Sequence, residues 1–314
     1  MIAIPLARYR FECLTTRDIV FNEFSGSDLR SIFGSSLRTL SCVTNMSQCE
    51  GCPVQADCPY GKLFSNKTDR ATQSDSNQTT LNPYIIEPPE WGVQLLKKGE
   101  TWSFHLILMG ATESLLPLII LAWKRGLEQG LGKKSAGRAT LLKVMHCQAD
   151  GNEALVLDPV ENLIRPHEPT LYLDRTPNAS IKSVTLNLLT PTRLQFRGHV
   201  LTPRSVKPRD MVEILTRRVR LLFPQQMDNL FHDKDHEEMA KIDGIRTEGQ
   251  LEFCDWKRYS ASQRREMNLG GLMGQWTWFG DVQPFMTLLK LGEWLHVGKN
   301  VTFGMGQYRM EVMK

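Results

Sequence analysis

The chain has 314 residues, 41% of them hydrophobic and 23% charged, a mixture that excludes a disordered or fibrous polypeptide and has room for two ordinary domains. Its longest apolar run, Ser114 to Trp123, is about ten residues and ends at Lys124 and Arg125, whereas a bilayer span needs roughly twenty. A formal net charge of +4 by itself neither demands nor excludes a nucleic-acid partner. Near the start, Arg8 and Arg10 follow a short apolar run, the reverse of a secretory signal, so a cytoplasmic protein is expected.

In chain order, Ala3 to Cys13 is β-prone, and Ser27 to Leu40 has apolar residues at helical spacing behind Ser27 as a candidate cap. Thr68 to Thr80 is polar and without periodicity, which predicts an exposed loop. Trp102 to Met109 reads as a strand ended by Gly110, Leu115 to Leu127 as a helix, and Ala139 to Met145 as a strand after a glycine-rich turn. Pro159, Pro166, Pro169 and Pro177 then interrupt regular structure and mark a boundary, giving domains over about 1–165 and 180–314. In the second, Lys182 to Leu189 and Leu194 to Val200 are predicted as a hairpin joined at Thr190-Pro191-Thr192, followed by a helix over Met211 to Phe223. Leu251 to Trp256 and Gln275 to Phe279 are strand-like, Val282 to Leu295 is an apolar helix, and Gln307 to Met313 is a last strand.

The two halves echo each other. Gly132-Lys133 and Gly137, before a strand ending Lys143-Val144-Met145, parallel Gly298-Lys299, Gly304 and Gly306 before a strand ending Glu311-Val312-Met313. Two copies of one unit, each with antiparallel strands backed by helices, imply an α+β protein.

Four of the seven cysteines lie within seventeen residues, as Cys42-x6-Cys49-x2-Cys52-x5-Cys58, with Gly51, Pro53 and Pro59 supplying turns. Four thiolates suit a closed tetrahedral zinc site that stabilises a segment with little core of its own. An iron–sulfur cluster uses the same ligands, and disulfides are disfavoured in a reducing compartment. In each metal reading the ion is structural, because four thiolates leave no open position. Cys13, Cys147 and Cys254 read as small buried apolar residues. His232 and His236 could share a helix face, but the surrounding acids favour a solvated segment.

Basic residues crowd two stretches, Arg204, Lys207, Arg209, Arg217, Arg218 and Arg220 in one and Lys257, Arg258, Arg264 and Arg265 in the other. The densest constellation is His296 to Tyr308, where Gly298, Gly304 and Gly306 would let backbone approach a phosphate, Lys299 offers charge, and His296 titrates near neutrality. No nucleotide-triphosphate signature is present.

This glycine-rich ending resembles that of the CRISPR-associated repeat-cleaving endoribonucleases of the repeat-associated mysterious protein (RAMP) superfamily, in their cysteine-bearing branch. Cys58-Pro59-Tyr60-Gly61-Lys62-Leu63-Phe64, Gly130-Leu131-Gly132, and Trp256-Lys257-Arg258-Tyr259-Ser260 followed by Arg264, Gly270-Gly271 and Gly274 carry the likeness along nearly the whole chain. The resemblance implies tandem ferredoxin-like domains, the first with a cysteine insertion over about 42–80, with CRISPR repeat RNA and other subunits of a CRISPR ribonucleoprotein as the candidate partners and no membrane partner. It also implies cleavage without a catalytic metal, by ribose 2′-hydroxyl attack that leaves a 2′,3′-cyclic phosphate and a 5′-hydroxyl. Such a reaction needs a base, a stabilised phosphorane and a proton for the leaving oxygen.

Members that draw a catalytic histidine from the first domain are not matched here, because no histidine precedes His105. The expected catalytic group is therefore His296, Lys299 and Tyr259. Arg258, Arg264, Arg217, Arg218, Lys133, Gly298, Gly304 and Gly306 are expected on RNA, and Cys42, Cys49, Cys52 and Cys58 on metal. His105, His146, His167 and His199 read as structural. A non-catalytic RNA-binding scaffold subunit and a zinc-stabilised adaptor are the alternatives.

Overall fold

From Leu6 to Arg17 the chain alternates faces: Tyr9, Phe11 and Cys13 are buried, while Arg8, Arg10 and Glu12 are half-buried. A side-chain period of two makes this segment a strand with one apolar face. In a computed structural model of the protein it is the centre of a six-stranded antiparallel sheet. The structure describes the chain except residues 22–23, 65–80, 93–94, 159, 175–180, 231–239, 261–264 and 313–314, and gives backbone alone for 228–229, 257–260 and 265–268. The loop expected over Thr68 to Thr80 and the pair His232 and His236 lie outside the described residues.

The chain divides into two compact units, Pro5–Leu171 and a second made of Met1–Ile4 with Tyr172–Lys314. In the first, β1 (Leu6–Arg17) leads to α1 (Gly26–Ser41), α2 (Pro59–Phe64), β2 (Tyr84–Glu87), β3 (Thr101–Met109), α3 (Leu116–Gln129), β4 (Arg138–Cys147), β5 (Glu153–Asp158) and β6 (Leu163–Ile164). The strands lie in the order β2-β3-β1-β4-β5-β6. Helices α1 and α3 cover the apolar face, and Trp123 of α3 is the hub of that core. Its ring stacks on Phe33 of α1 with centroids 4.8 Å apart and also meets Phe104 of β3 at 4.4 Å. Truncating a fully buried aromatic of this kind costs about 3–5 kcal/mol.

The second unit runs β7 (Ser183–Thr192), α4 (Pro208–Leu222), β8 (Arg246–Cys254), a small hairpin of β9 (Lys257–Ser260) and β10 (Arg265–Asn268), β11 (Gly271–Phe279), α5 (Met286–Leu295) and β12 (Tyr308–Val312). Its main sheet is antiparallel in the order β8-β11-β7-β12. Numbered from its own first strand, that order is 2-3-1-4, the same as β2-β3-β1-β4 in the first unit. Each unit is therefore strand, helix, two strands, helix, strand, with both helices packed against one sheet.

Three local expectations are corrected. Ser27 lies inside α1, and the cap position is Ser25, which makes no side-chain capping bond. The expected hairpin at Pro191 is a single strand: β7 continues to Thr192 with an irregularity between Leu188 and Thr192, and its pairing with β12 stops at Leu188, so no partner needs the amide that Pro191 lacks. Leu194 to Val200 is no strand of the main sheet, holding only Gln195–Phe196 paired with His199–Val200. Strands β2, β5, β9 and β10 were not anticipated. Among the described residues no helix is long and apolar enough to cross a membrane.

Candidate functional site

The echoed glycines occupy matching places. In the second unit the backbone turns after α5, and a Cβ on Gly298, whose φ is +93°, would stand 2.5 Å from the Arg193 carbonyl oxygen. In the first, a Cβ on Gly132, with φ +77°, would stand 2.4 Å from the Val20 carbonyl oxygen. Both positions therefore admit only glycine, because the loop after the second helix runs directly against the segment that leaves the first strand. Antiparallel backbone bonds close each loop: Leu131 exchanges hydrogen bonds with Gly137, and the Val297 amide donates to Gly306 at 3.0 Å. Gly304 and Gly306 are buried with positive φ. These glycines serve close backbone packing within the unit, a use that sequence spacing does not distinguish from a phosphate cradle.

Each loop then presents a lysine. Lys133 is exposed, and Lys299 is half-buried with its amide donating to the Arg193 carbonyl at 3.0 Å. Arg193, which the sequence reading missed because it stands alone between Thr192 and Leu194, donates through Nη1 to the Gly270 carbonyl at 2.8 Å, and burial lowers its pKa. His296 is fully buried at φ +56°, and its Nδ1 lies 3.1 Å from the Met305 carbonyl oxygen. A group with no accessible surface cannot reach an RNA phosphate, so His296 braces the loop from within.

The run of six cations is thinned by the fold. Arg217 and Arg220 are exposed on α4, as are Arg204 and Lys207 before it. Arg209 is committed to Asp243 at 2.5 Å and to Glu213 at 3.5 Å. Arg218, expected on RNA, is instead buried, with Nε and Nη2 unpartnered, and burial lowers its pKa to about 10. Helical spacing explains the split, since adjacent residues on α4 point about 100° apart. Arg258 and Tyr259 sit on β9, of which the backbone is described, and Arg264 lies outside the described residues.

Cys42, Cys49, Cys52 and Cys58 all line one small cavity of about 20 Å³. Turn hydrogen bonds organise it: the Cys52 amide donates to the Cys49 carbonyl and the Cys58 amide to the Val54 carbonyl, while Thr44 Oγ1 lies 3.5 Å from Cys52 Sγ. Among the described residues, however, no three His, Cys, Asp or Glu side chains are close enough to hold an ion as they stand.

Two family models match the chain in tandem. Residues 4–169 match the AF_1859_N model, described as an N-terminal domain, and residues 186–308 match the model for the CRISPR-associated endoribonuclease Cas6. The chain is a Cas6-like CRISPR-associated protein. No curated protein sequence matches it. Among solved structures it is similar to Thermus thermophilus Cas6, at 13% identity and a TM-score of 0.55 over 99% of this chain and 100% of that one. It is also similar to a Cas6 product complex, at 13% identity and 0.56 over 98% and 99%. A third similarity, to a chain of a partial Cas6-RT-Cas1–Cas2 complex at 14% identity and 0.57, covers 98% of this chain and 46% of that one. These likenesses support the mixed α/β architecture with antiparallel sheets, related to Cas6 ferredoxin-like folds.

The first unit also gathers residues that lie far apart in the sequence. His146 and His167, read there as isolated, meet at Tyr9: His167 Nε2 lies 2.8 Å from Tyr9 Oη, and the two imidazole centroids are 5.2 Å apart. Register explains His146, which stands directly opposite Tyr9 in the β1–β4 pair. His167 arrives from the proline-rich segment, about twenty residues later in the chain, so no local spacing could announce it. His105, on the other sheet face, stands 3.8 Å from Glu87, which also pairs with Arg8, and burial lowers its pKa to about 4. His199 is exposed on its short hairpin.

Proposed function

We propose that this Cas6-like protein is an endoribonuclease that cuts precursor CRISPR RNA within its repeats, without a catalytic metal, leaving a 2′,3′-cyclic phosphate and a 5′-hydroxyl. The observation that carries this reading is the Gly298 loop, whose Lys299 amide is bonded to the Arg193 carbonyl, so that two basic residues meet backbone to backbone beside one strand end. In the proposed reaction a 2′-hydroxyl attacks the adjacent phosphorus as a base takes its proton. Lys299 and Arg193 then stabilise the phosphorane, and the 5′-oxygen leaves with a proton. Tyr259 is the proposed proton-handling side chain. Arg217, Arg258, Arg264 and Lys133 are proposed phosphate contacts, and Gly298, Gly304 and Gly306 fix the loop's path.

The test is direct. Labelled repeat RNA incubated with the purified protein in magnesium-free buffer containing EDTA should give one cut with a cyclic-phosphate end. Binding without cleavage would overturn the nuclease reading and leave a scaffold subunit. That second reading draws support from the burial of His296, which leaves no histidine of the loop in contact with solvent. Either role fits a CRISPR ribonucleoprotein, and a similar chain is found in a Cas6-RT-Cas1–Cas2 complex.

We further propose that Cys42, Cys49, Cys52 and Cys58 hold a structural zinc ion. The donor chemistry suits it, since four thiolates make a closed tetrahedral set, and the four side chains already line one cavity; an iron–sulfur cluster on the same ligands is the alternative. Coordination would require the thiolates to draw together around the ion.

A further inference from the structure

The segment that leaves the first strand follows a different course in each unit. In the first unit it pairs with a passing segment, Ile19–Val20 against Leu95–Leu96. In the second it doubles back on itself directly after Arg193, as a hairpin in which Gln195 pairs with Val200 and Phe196 with His199. The Leu201 amide closes the stem by donating to the Leu194 carbonyl at 3.0 Å, and the Leu194 and Leu201 side chains are buried. The stem is anchored, and the tip stands in solvent.

The tip is a two-residue turn, Arg197-Gly198, with φ of +48° and +84°. Positive φ at both places suits a tight hairpin and favours Asn-Gly or Gly-Gly, so an arginine in the first place is strained. Its guanidinium carbon lies over the Phe196 ring, 5.1 Å from the centroid. Phe196 is 47% exposed, more than any other described aromatic side chain. His199, directly opposite it in the register, stands on the same face of the hairpin and is exposed as well. An aromatic ring held out in water adds little to the core of its own unit, and local strain is retained where the strained residue has a use.

The charge around the hairpin has one sign along the chain. From Lys182 to Arg209 the sequence carries six lysines and arginines and no aspartate or glutamate. Arg204 and Lys207, which follow the stem, are exposed. From outside this stretch Asp255 acts on Arg193, at the base of the stem, and offsets part of the charge there.

We infer that this hairpin tip binds one unpaired RNA nucleotide, its base stacked on Phe196 and its phosphate met by Arg197. Single-stranded RNA offers a flat base for the ring and a backbone anion for the cation. A duplex keeps its base faces covered and meets only the charge. An acidic peptide would pair with Arg197 but need not bring a flat group to Phe196. The inference rests on the RNA-binding part of the function proposed above and not on cleavage. Because the Arg193 carbonyl takes the Lys299 amide, a nucleotide held at this hairpin belongs to a strand passing the glycine loop.

Fluorescence anisotropy of the full chain, with a short labelled single-stranded RNA and with a blunt duplex of the same sequence, tests this over a range of salt concentrations. Phe196→Leu should weaken single-strand binding about fivefold or more with an unchanged salt slope, and Phe196→Trp should restore it. Arg197→Gly, which relieves the turn, should instead lower the salt slope by about 0.7. Both residues are exposed, so a thermal melt should show each variant folded like the parent. Parent-like affinity in Phe196→Leu, no restoration by tryptophan, or an equal defect on the duplex overturns the inference. If the parent binds RNA and Phe196→Leu binds it equally, RNA binding stands and the hairpin assignment falls. No RNA binding by the parent removes both.

Discussion

The amide of Lys299 donates to the carbonyl of Arg193 across 3.0 Å, and Gly298 just before it lies too close to that carbonyl to carry a side chain. Gly298→Ala must either push the two segments apart or strain a left-handed backbone. A loss of about 2 kcal/mol or more is expected by denaturant titration. If the lysine acts on RNA, cleavage should fall further than the folded fraction does. Gly132→Ala should cost similar stability in the first unit.

His296→Ala should lower the melting temperature, because it removes a buried ring and leaves the Met305 carbonyl without that partner, at a cost of about 1–3 kcal/mol. At a temperature where the variant is folded, RNA cleavage should stay within a few-fold of the parent. A complete loss of cleavage in folded protein would restore His296 as a catalytic residue.

Arg217 and Arg218 are neighbours in sequence with opposite fates. Arg217→Ala should weaken RNA binding and reduce its salt dependence, measured by filter binding at several ionic strengths. Arg218→Met should leave affinity unchanged and preserve or raise stability, since it replaces an unpartnered buried cation by an apolar chain of similar length.

Much of the architecture is legible in the sequence. Long strands with strict alternation, such as β1, and helices with a full apolar stripe, such as α3, declare themselves because local periodicity and tertiary burial agree. The Gly-Lys echo gave the duplication for the same reason: each copy meets the same packing demand. Strand β2, four residues all buried, shows no alternation to read, and the β9–β10 hairpin is polar. The candidate site was less legible. A glycine that clears a carbonyl looks like one that clears a phosphate, and the meeting of Tyr9, His146 and His167 depends on strand register and a returning linker.

Stability should respond to pH in two windows of opposite sign. Glu113 has its pKa raised from 4.5 to about 7 by burial, so its contribution is complete below pH 4.5 and is lost as pH rises through 7. His105 has its pKa lowered from 6.5 to about 4, chiefly by burial, so its contribution is complete above pH 6.5 and is lost as pH falls through 4. Urea titrations from pH 4 to 8 should show Glu113→Gln gaining on the parent as pH rises. Parallel curves for the two proteins would contradict the raised carboxyl.

Protein purified without chelator should carry one zinc per chain by elemental analysis, and Cys52→Ser should lose it together with thermal stability. Iron with visible absorbance would assign a cluster instead.

Residues Met1–Ile4 belong with Tyr172–Lys314 and not with the unit they immediately precede. Ile2–Ile4 forms a short ladder with Leu171–Leu173. The polypeptide therefore passes between units twice, and no single cut yields two whole halves. During synthesis the first four residues wait for a strand partner that emerges only after the whole of Pro5–Leu171. A fragment beginning near residue 172 would lack them, and a bulky amino-terminal fusion would burden the carboxyl-terminal unit.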